Sequence, residues 1–267
     1  MTTSTAGGTG PVQGPLWSAR AHDWAQIQEP TVLPLFEAIA DRLGIADGTR
    51  VLDVGCGAGL FLRHAADRGA DAAGLDAAEG MIAIGRARLP GADLREGDME
   101  ALPWEDGTFD AVSGINAFQY AARPVAAVTE AARVTRTGGL IAIAAWGRPE
   151  DCEAAGHLAA LGALLPPPPP GAPGPFALSQ PGALASLARD AGLDPADETD
   201  VATVWEYPDD DTALRGMLSA GPAVRAIAHA GESRVRDAVL EAVAPYRAPD
   251  GSYRLRNVFR YVVAAVG

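Results

Sequence analysis

The chain has 267 residues and a formal net charge of −13, and all 21 of its basic residues are Arg. Without Lys there is no Lys Schiff base and no Gly-Lys-Ser/Thr phosphate loop. The acidity disfavours nucleic acid and anionic membranes as main partners, because both need a positive protein surface.

In chain order, residues 1–15 are rich in Thr, Gly, Ser and Pro and are expected to be a disordered tail. A single domain is expected over residues 16–267, with its core at 45–146. Val32, Leu35, Phe36, Ile39 and Leu43 recur at helical spacing, with Gly44 as the stop. Strands and helices then alternate. Strands are expected at Val51–Val54, Ala72–Leu75, Ala92–Arg95, Phe109–Ser113 and Leu140–Ala145. Helices are expected at Leu60–Arg68, Gly80–Arg88 and from Pro124 to about Thr135. Such alternation implies a parallel sheet covered on both faces.

After Trp146 the composition shifts. Pro166–Pro170 run consecutively, which predicts a stiff surface loop in polyproline II. A helix is expected over Gly182–Ala191, a strand over Val201–Tyr207, and two or three helices over 208–249. A long closing strand, 253–266, has the character of an antiparallel one.

Two Cys, Cys56 and Cys152, are too few for a disulfide scaffold, and the four His show no metal-ligand spacing. No metal is therefore expected. No apolar run reaches membrane-spanning length, and the N-terminus has no basic-then-apolar pattern, so a cytoplasmic location away from membranes is expected.

The strongest chemical signal is Val51-Leu52-Asp53-Val54-Gly55-Cys56-Gly57-Ala58-Gly59. Glycines let a backbone turn tightly and approach a ligand with no Cβ in the way. A dinucleotide fingerprint would read Gly-x-Gly-x-x-Gly, but Leu60 takes the sixth position. Asp53, two residues before the first glycine, suits a ligand carrying an ammonium and a sulfonium better than a pyrophosphate. Asp76 closes the second strand, where a carboxylate can accept from both ribose hydroxyls. Asp98 follows the third strand, where it can accept from an adenine amino group.

With these residues the chain resembles the class I S-adenosylmethionine (SAM)-dependent methyltransferases, in particular the methyltransferase type 11 or UbiE-like group. The resemblance spans residues 50–146. It implies an α/β, Rossmann-like, seven-stranded and mostly parallel sheet in the order 3-2-1-4-5-7-6. Strand 7 would be antiparallel, helices would cover both faces, and a helical lid would close the site. By position it implies SAM as cofactor and S-adenosylhomocysteine as product. Gly55, Cys56, Gly57 and Gly59 would serve its methionine end, with Asp53 near the ammonium. Asp76 would hold the ribose, and Asp98 with Met99 the adenine. Ala77 and Met81 would pack the adenosine, and Asn116 would lie beside the methyl donor. Ala77-Ala78 replaces a common Ser-Pro, and Thr137 stands where Pro often precedes Gly-Gly.

The fourth strand lacks the Asn/Asp/Ser-Pro-Pro-aromatic motif of nucleic-acid amino-methyltransferases and reads Ser113-Gly114-Ile115-Asn116-Ala117-Phe118. The expected acceptor is therefore a small molecule, with a secondary metabolite as one case. The roof over it should come from residues 16–30, 147–181 and 208–250. Trp17, Trp24, Gln119, Trp146 and Asn257 are candidates for the acceptor side or lid. No catalytic residue is fixed. His22, Tyr120 and His157 are the candidate bases, His22 first because it lies between two Trp. Arg254, Arg256 and Arg260 line one face of the final strand, fitting either an anionic acceptor or a solvated edge. Methyl transfer to O, N or C is the leading reading. A SAM-binding protein that does not methylate, for example a cyclase, and a nicotinamide oxidoreductase are the alternatives. Oligomeric state is not legible.

Overall fold

The computed structural model describes residues 8–166 and 174–267. In chain order, the elements begin with α1 (Gly10–Ser18), the short α2 (Ala21–Asp23), a π turn over Trp24–Gln28, and α3 (Leu33–Arg42). The alternating core follows: β1 (Arg50–Val54), α4 (Leu60–Ala66), β2 (Asp71–Asp76), α5 (Glu79–Arg88), β3 (Asp93–Glu96), β4 (Phe109–Ile115), α6 (Pro124–Val134) and β5 (Thr135–Trp146). Then come α7 (Ala155–Ala163), α8 (Ala183–Asp190), β6 (Asp194–Pro195), β7 (Thr199–Tyr207), α9 (Asp210–Met217), α10 (Gly221–Ala230), α11 (Glu232–Val243) and β8 (Tyr253–Ala265).

The strands form one sheet in the order β3-β2-β1-β4-β5-β8-β6, with β7 also paired to β8. β1 to β5 run parallel, and β8 is antiparallel to β5. The expected order holds, with one difference in count. The outer strand is broken into β6 and β7, both antiparallel to β8. Pro195 lacks the N–H a continuous ladder needs, and an edge position tolerates it.

The inner strands are apolar because helices cover both faces. In β1, Val51, Leu52 and Val54 are fully buried. Their alternation divides the core in two. Leu52, Val112, Ile141 and Val262 meet α6 and α8 on one face. Val51, Ala111, Phe259 and Val263 meet α3, α4 and α9–α11 on the other. Asp53 follows Val51 by two residues and so points to this second face. Helix α6 starts on Pro124 and buries Ala127, Val128, Ala131 and Val134, a stripe at helical spacing.

Three expectations are corrected. Residues 10–15 are not tail but the first two turns of α1. The stretch after Trp146 is not only loop, since it contains α7, which buries His157 and Leu161. β5 begins at Thr135, ahead of the Gly138-Gly139 turn, at a register irregularity against β4. Of the proline run, Pro167–Pro170 lie outside the described residues. Among the described residues no helix is long and apolar enough to cross a membrane.

Candidate functional site

The site forms where the parallel strands end. After β1 the chain turns through Gly55, Gly57 and Gly59, all at positive φ. A side chain at Gly55 would meet Ala117, whose Cβ lies 2.5 Å from where a Cβ would stand. Glycine there lets the β1 turn pack directly on the loop after β4. The N–H groups of Gly55 and Cys56 both donate to the Leu75 carbonyl, at 2.7 and 3.0 Å. Asp76 completes the link. One oxygen accepts from the Gly57 N–H at 2.9 Å and the other from the Ala78 N–H at 2.8 Å.

A cavity opens over this turn. Its walls include Asp76, Ala77 and Met81 from the β2–α5 connection, and Asp98 and Met99 after β3. Asn116 and Tyr120 close the β4 side, and Thr9, Gln13 and Trp17 of the α1 segment cover it. Helix α1 sits tightly, since a Cβ on Gly14 would lie 2.3 Å from the Ala77 carbonyl oxygen. Thr9 Oγ1 donates to the Tyr120 carbonyl at 2.6 Å, and the Gly80 N–H donates to Ser18 Oγ at 3.1 Å. Trp17 meets Trp24 and Tyr120 edge-on at 5.0 and 5.7 Å.

A second cavity adjoins the first and shares Trp17, Trp24, Gly55, Gly57, Asn116 and Tyr120 with it. Its far wall is aromatic. Trp146 stacks on Phe259 at 4.5 Å and meets Trp205 at 5.4 Å. Its polar members include Asp53, Glu29, Gln28 and His157. Tyr207 holds Gln28 from behind, its hydroxyl donating to Oε1 at 2.8 Å.

Electrostatics at the junction is acidic. Burial pushes the Asp53 carboxyl up to about 8, against the opposing hydrogen bond from Ser113 Oγ at 2.7 Å. Burial also raises Asp76, opposed by the backbone N–H groups of Ala78 and Gly57. Glu29 is raised by burial and held down by Arg88, whose guanidinium lies 2.6 Å away. Burial lifts Tyr120 to about 12 and lowers His157 to about 4. Tyr120 is thus a proton donor and His157 an uncharged imidazole at neutral pH.

Most of the expected residues converge here. Gly55, Gly57, Asp76, Ala77, Met81, Asp98, Met99 and Asn116 line the first cavity. Asp53 and Cys56 line the second, as do Trp146 and His157, while Trp17, Trp24 and Tyr120 reach both. Four do not line either. Gly59 lies behind the turn as the left-handed N-cap of α4, where a Cβ would stand 3.6 Å from Gly85 Cα. His22 is exposed and borders a shallow surface recess with Ser18 and Ile84. Gln119 is buried and donates to Asn116 Oδ1, so it supports a wall residue. Asn257 is buried and accepts from the Ala154 N–H at 2.9 Å, fixing the start of α7. Arg260 is also structural, paired with Asp200 at 2.6 Å, and Arg254 and Arg256 are on an exposed face. Among the described residues no group of three or more His, Cys, Asp or Glu could hold a metal.

Sequence reasoning missed Glu29, Gln28, Trp205 and Phe259. Trp205 and Phe259 read as ordinary strand aromatics, and Glu29 follows no catalytic spacing. Asn116 carried a signal, as the one non-glycine residue at positive φ among the described residues, φ +55°. Such conformations concentrate at functional sites.

A sheet in this order, with an acidic residue ending β2 and a glycine turn after β1, is the framework of the class I methyltransferases. Residues 52–143 match the family model for a methyltransferase domain. Over part of its length the chain is similar to proteins named demethylmenaquinone methyltransferases. It is 38% identical over 111 residues to a demethylmenaquinone methyltransferase of Renibacterium salmoninarum, covering 42% of this chain and 47% of that one. The chain thus spans about half the length of the curated relatives it matches. A Bacillus halodurans protein assigned as a methyltransferase superposes with a TM-score of 0.59 at 15% identity, covering 86% of this chain and 97% of the other. The [4+2]-cyclase SpnF superposes with a TM-score of 0.57 at 22% identity, covering 87% and 81%. At these identities the two structures speak for the fold alone.

Proposed function

We propose that the protein is a SAM-dependent methyltransferase acting on a small molecule with an apolar, aromatic-compatible body. The observation that carries this reading is the junction of two cavities at Gly55, Asn116 and Tyr120. One cavity has the donors and acceptors for an adenosyl group, and the other has the walls for a second reactant. Bound there, SAM supplies an activated methyl group on a sulfonium.

The chain's own residues account for the rest. Asp76 accepts from the ribose hydroxyls, with its orientation fixed by Gly57 and Ala78. Asp98 and Met99 receive the adenine, and Ala77 and Met81 pack the nucleoside. Asp76 and Asp98 give the adenosyl cavity acidic walls that suit a cationic ligand. Trp146, Phe259 and Trp205 exclude water and hold the acceptor against the junction. Holding two reactants in line contributes roughly 7–11 kcal/mol. His157, uncharged at neutral pH, is one group in the acceptor chamber able to take a proton from an O or N nucleophile. Tyr120 keeps its own proton.

Titration calorimetry with S-adenosylhomocysteine tests the reading, followed by an acceptor screen that scores S-adenosylhomocysteine production and a one-methyl mass gain. Micromolar binding with NAD inert is expected. Binding of NAD in preference would overturn it.

A further inference from the structure

We propose that Trp205 and His157 form a polar clamp in the aromatic chamber that selects acceptors carrying an uncharged oxygen, a hydroxyl or a carbonyl. The inference deepens the reading above and rests on it, because it takes the aromatic chamber as the acceptor's.

Both residues are placed by β8. On β7, Trp205 stands opposite Leu255 of β8 and joins the core that includes Leu35 and Ile39 of α3. Asn257, two residues further along β8, accepts from the Ala154 N–H and fixes the start of α7, which carries His157. One strand therefore sets the indole and the imidazole side by side, with ring centres 5.9 Å apart.

Trp205 is 4% exposed and His157 3%, and both line the chamber. Trp205 Nε1 and His157 Nδ1 are buried and have no hydrogen-bond partner among the described residues. The Ala154 carbonyl approaches the imidazole without completing a hydrogen bond to Nδ1. The other buried side-chain atoms left unpaired among the described residues are on His64, Gln119 and Thr203, none of which lines the chamber. Burying a polar atom without a partner costs stability. Two such atoms on one cavity wall mark a place where a guest supplies the missing bonds.

The chemistry of the pair narrows the guest. An indole N–H only donates, so the group it meets must accept. That excludes an ammonium and leaves a pure hydrocarbon at a disadvantage. A neutral imidazole donates from one nitrogen and accepts at the other, so it can serve a hydroxyl or a carbonyl. A carboxylate is disfavoured. Among the described residues no Arg lines the chamber, whereas Glu29 and Asp53 do, and His157 is uncharged at neutral pH.

The test is titration calorimetry on the full chain, first with S-adenosylhomocysteine and then, with that ligand bound, with four bicyclic probes. Indane is the apolar reference, 5-indanol carries a hydroxyl, 1-indanone a carbonyl and indane-5-carboxylate a charge. The hydroxyl or the carbonyl probe should bind about 5–50-fold more tightly than indane, and the carboxylate no more tightly than indane. Whichever of the two leads names the oxygen. Trp205→Phe should bring that probe to within about twofold of indane and leave indane itself within about twofold of the parent. His157→Phe should weaken the same probe about 2–10-fold with indane spared. Retained indane binding shows that a variant is folded, and His157→Phe decides the matter if Trp205→Phe does not fold. A parent that binds the probes alike, binds none of them or prefers the carboxylate overturns the clamp and leaves the cofactor reading intact. Folded variants that keep the parent's preference also overturn it. A parent that does not bind S-adenosylhomocysteine overturns the reading and the clamp together.

Discussion

Asp76 Oδ2 accepts a hydrogen bond from the Gly57 N–H at 2.9 Å, tying the end of β2 to the glycine turn of β1. Its other oxygen is tied to Ala78. The carboxylate is therefore aimed before any ligand arrives. Asp76→Ala should weaken S-adenosylhomocysteine and 5′-methylthioadenosine alike, by at least about 10-fold, because hydrogen bonds to a charged group are worth roughly 1.5–3 kcal/mol each. Calorimetric titration of both ligands checks this, and unchanged affinity would remove Asp76 from the site.

Asp53 makes the stability of the ligand-free protein depend on pH. Its carboxyl has an ordinary value of 3.8 and is pushed up to about 8 by burial. Between those values the folded chain keeps a proton that the unfolded chain has released. The contribution is full below about 3.8 and is lost as pH rises through about 8. Asp53→Asn should therefore flatten the fall of melting temperature between about pH 3.8 and 8. Thermal scans without ligand across that range test it, and parallel profiles for parent and variant would contradict it.

His157 acts with the opposite sign. Burial lowers its imidazole from 6.5 to about 4, so the folded chain refuses a proton that the unfolded chain accepts. This contribution is full above about 6.5 and is lost as pH falls toward about 4. His157→Gln should lose that acid-side slope in a denaturant titration series. A slope that persists in the variant would place its origin in another group.

Gly14 tests the cover. A methyl there would stand 2.3 Å from the Ala77 carbonyl oxygen, and neither backbone can yield without shifting α1. Gly14→Ala should displace α1 from the adenosine side and weaken 5′-methylthioadenosine several-fold. Nucleoside affinity equal to the parent's would show that α1 does not contribute to binding.

The sheet was legible because its inner strands are short apolar runs between glycine turns, and Asp53, Asp76 and Asp98 mark three strand ends. Those cues are local. The cover was not legible. Helix α1 contains Gly10, Pro11, Gly14 and Pro15, a composition that predicts no helix on its own; its packing on Ala77 holds it. His22 was misjudged because sequence proximity to Trp17 and Trp24 says nothing about which side of the segment faces inward. Asn257 and Gln119 are polar and buried, as a site residue would be, but their partners are Ala154 and Asn116. Only tertiary contacts distinguish such supporting roles. Glu29 escaped notice because no spacing rule anticipates a π turn.

The position of β8 separates the two cavities in folding. Beneath its α1 cover, the adenosine side is built from consecutive βα units of the parallel sheet. The aromatic chamber needs Trp146 on β5, Phe259 on β8 and Trp205 on β7, and β7 finds its place in the sheet only through β8. Such long-range closures carry a larger loop entropy and come later. The half that reads the cofactor can thus assemble early, while the half that selects the acceptor waits for the last strand to slot between two partners already far apart in the chain.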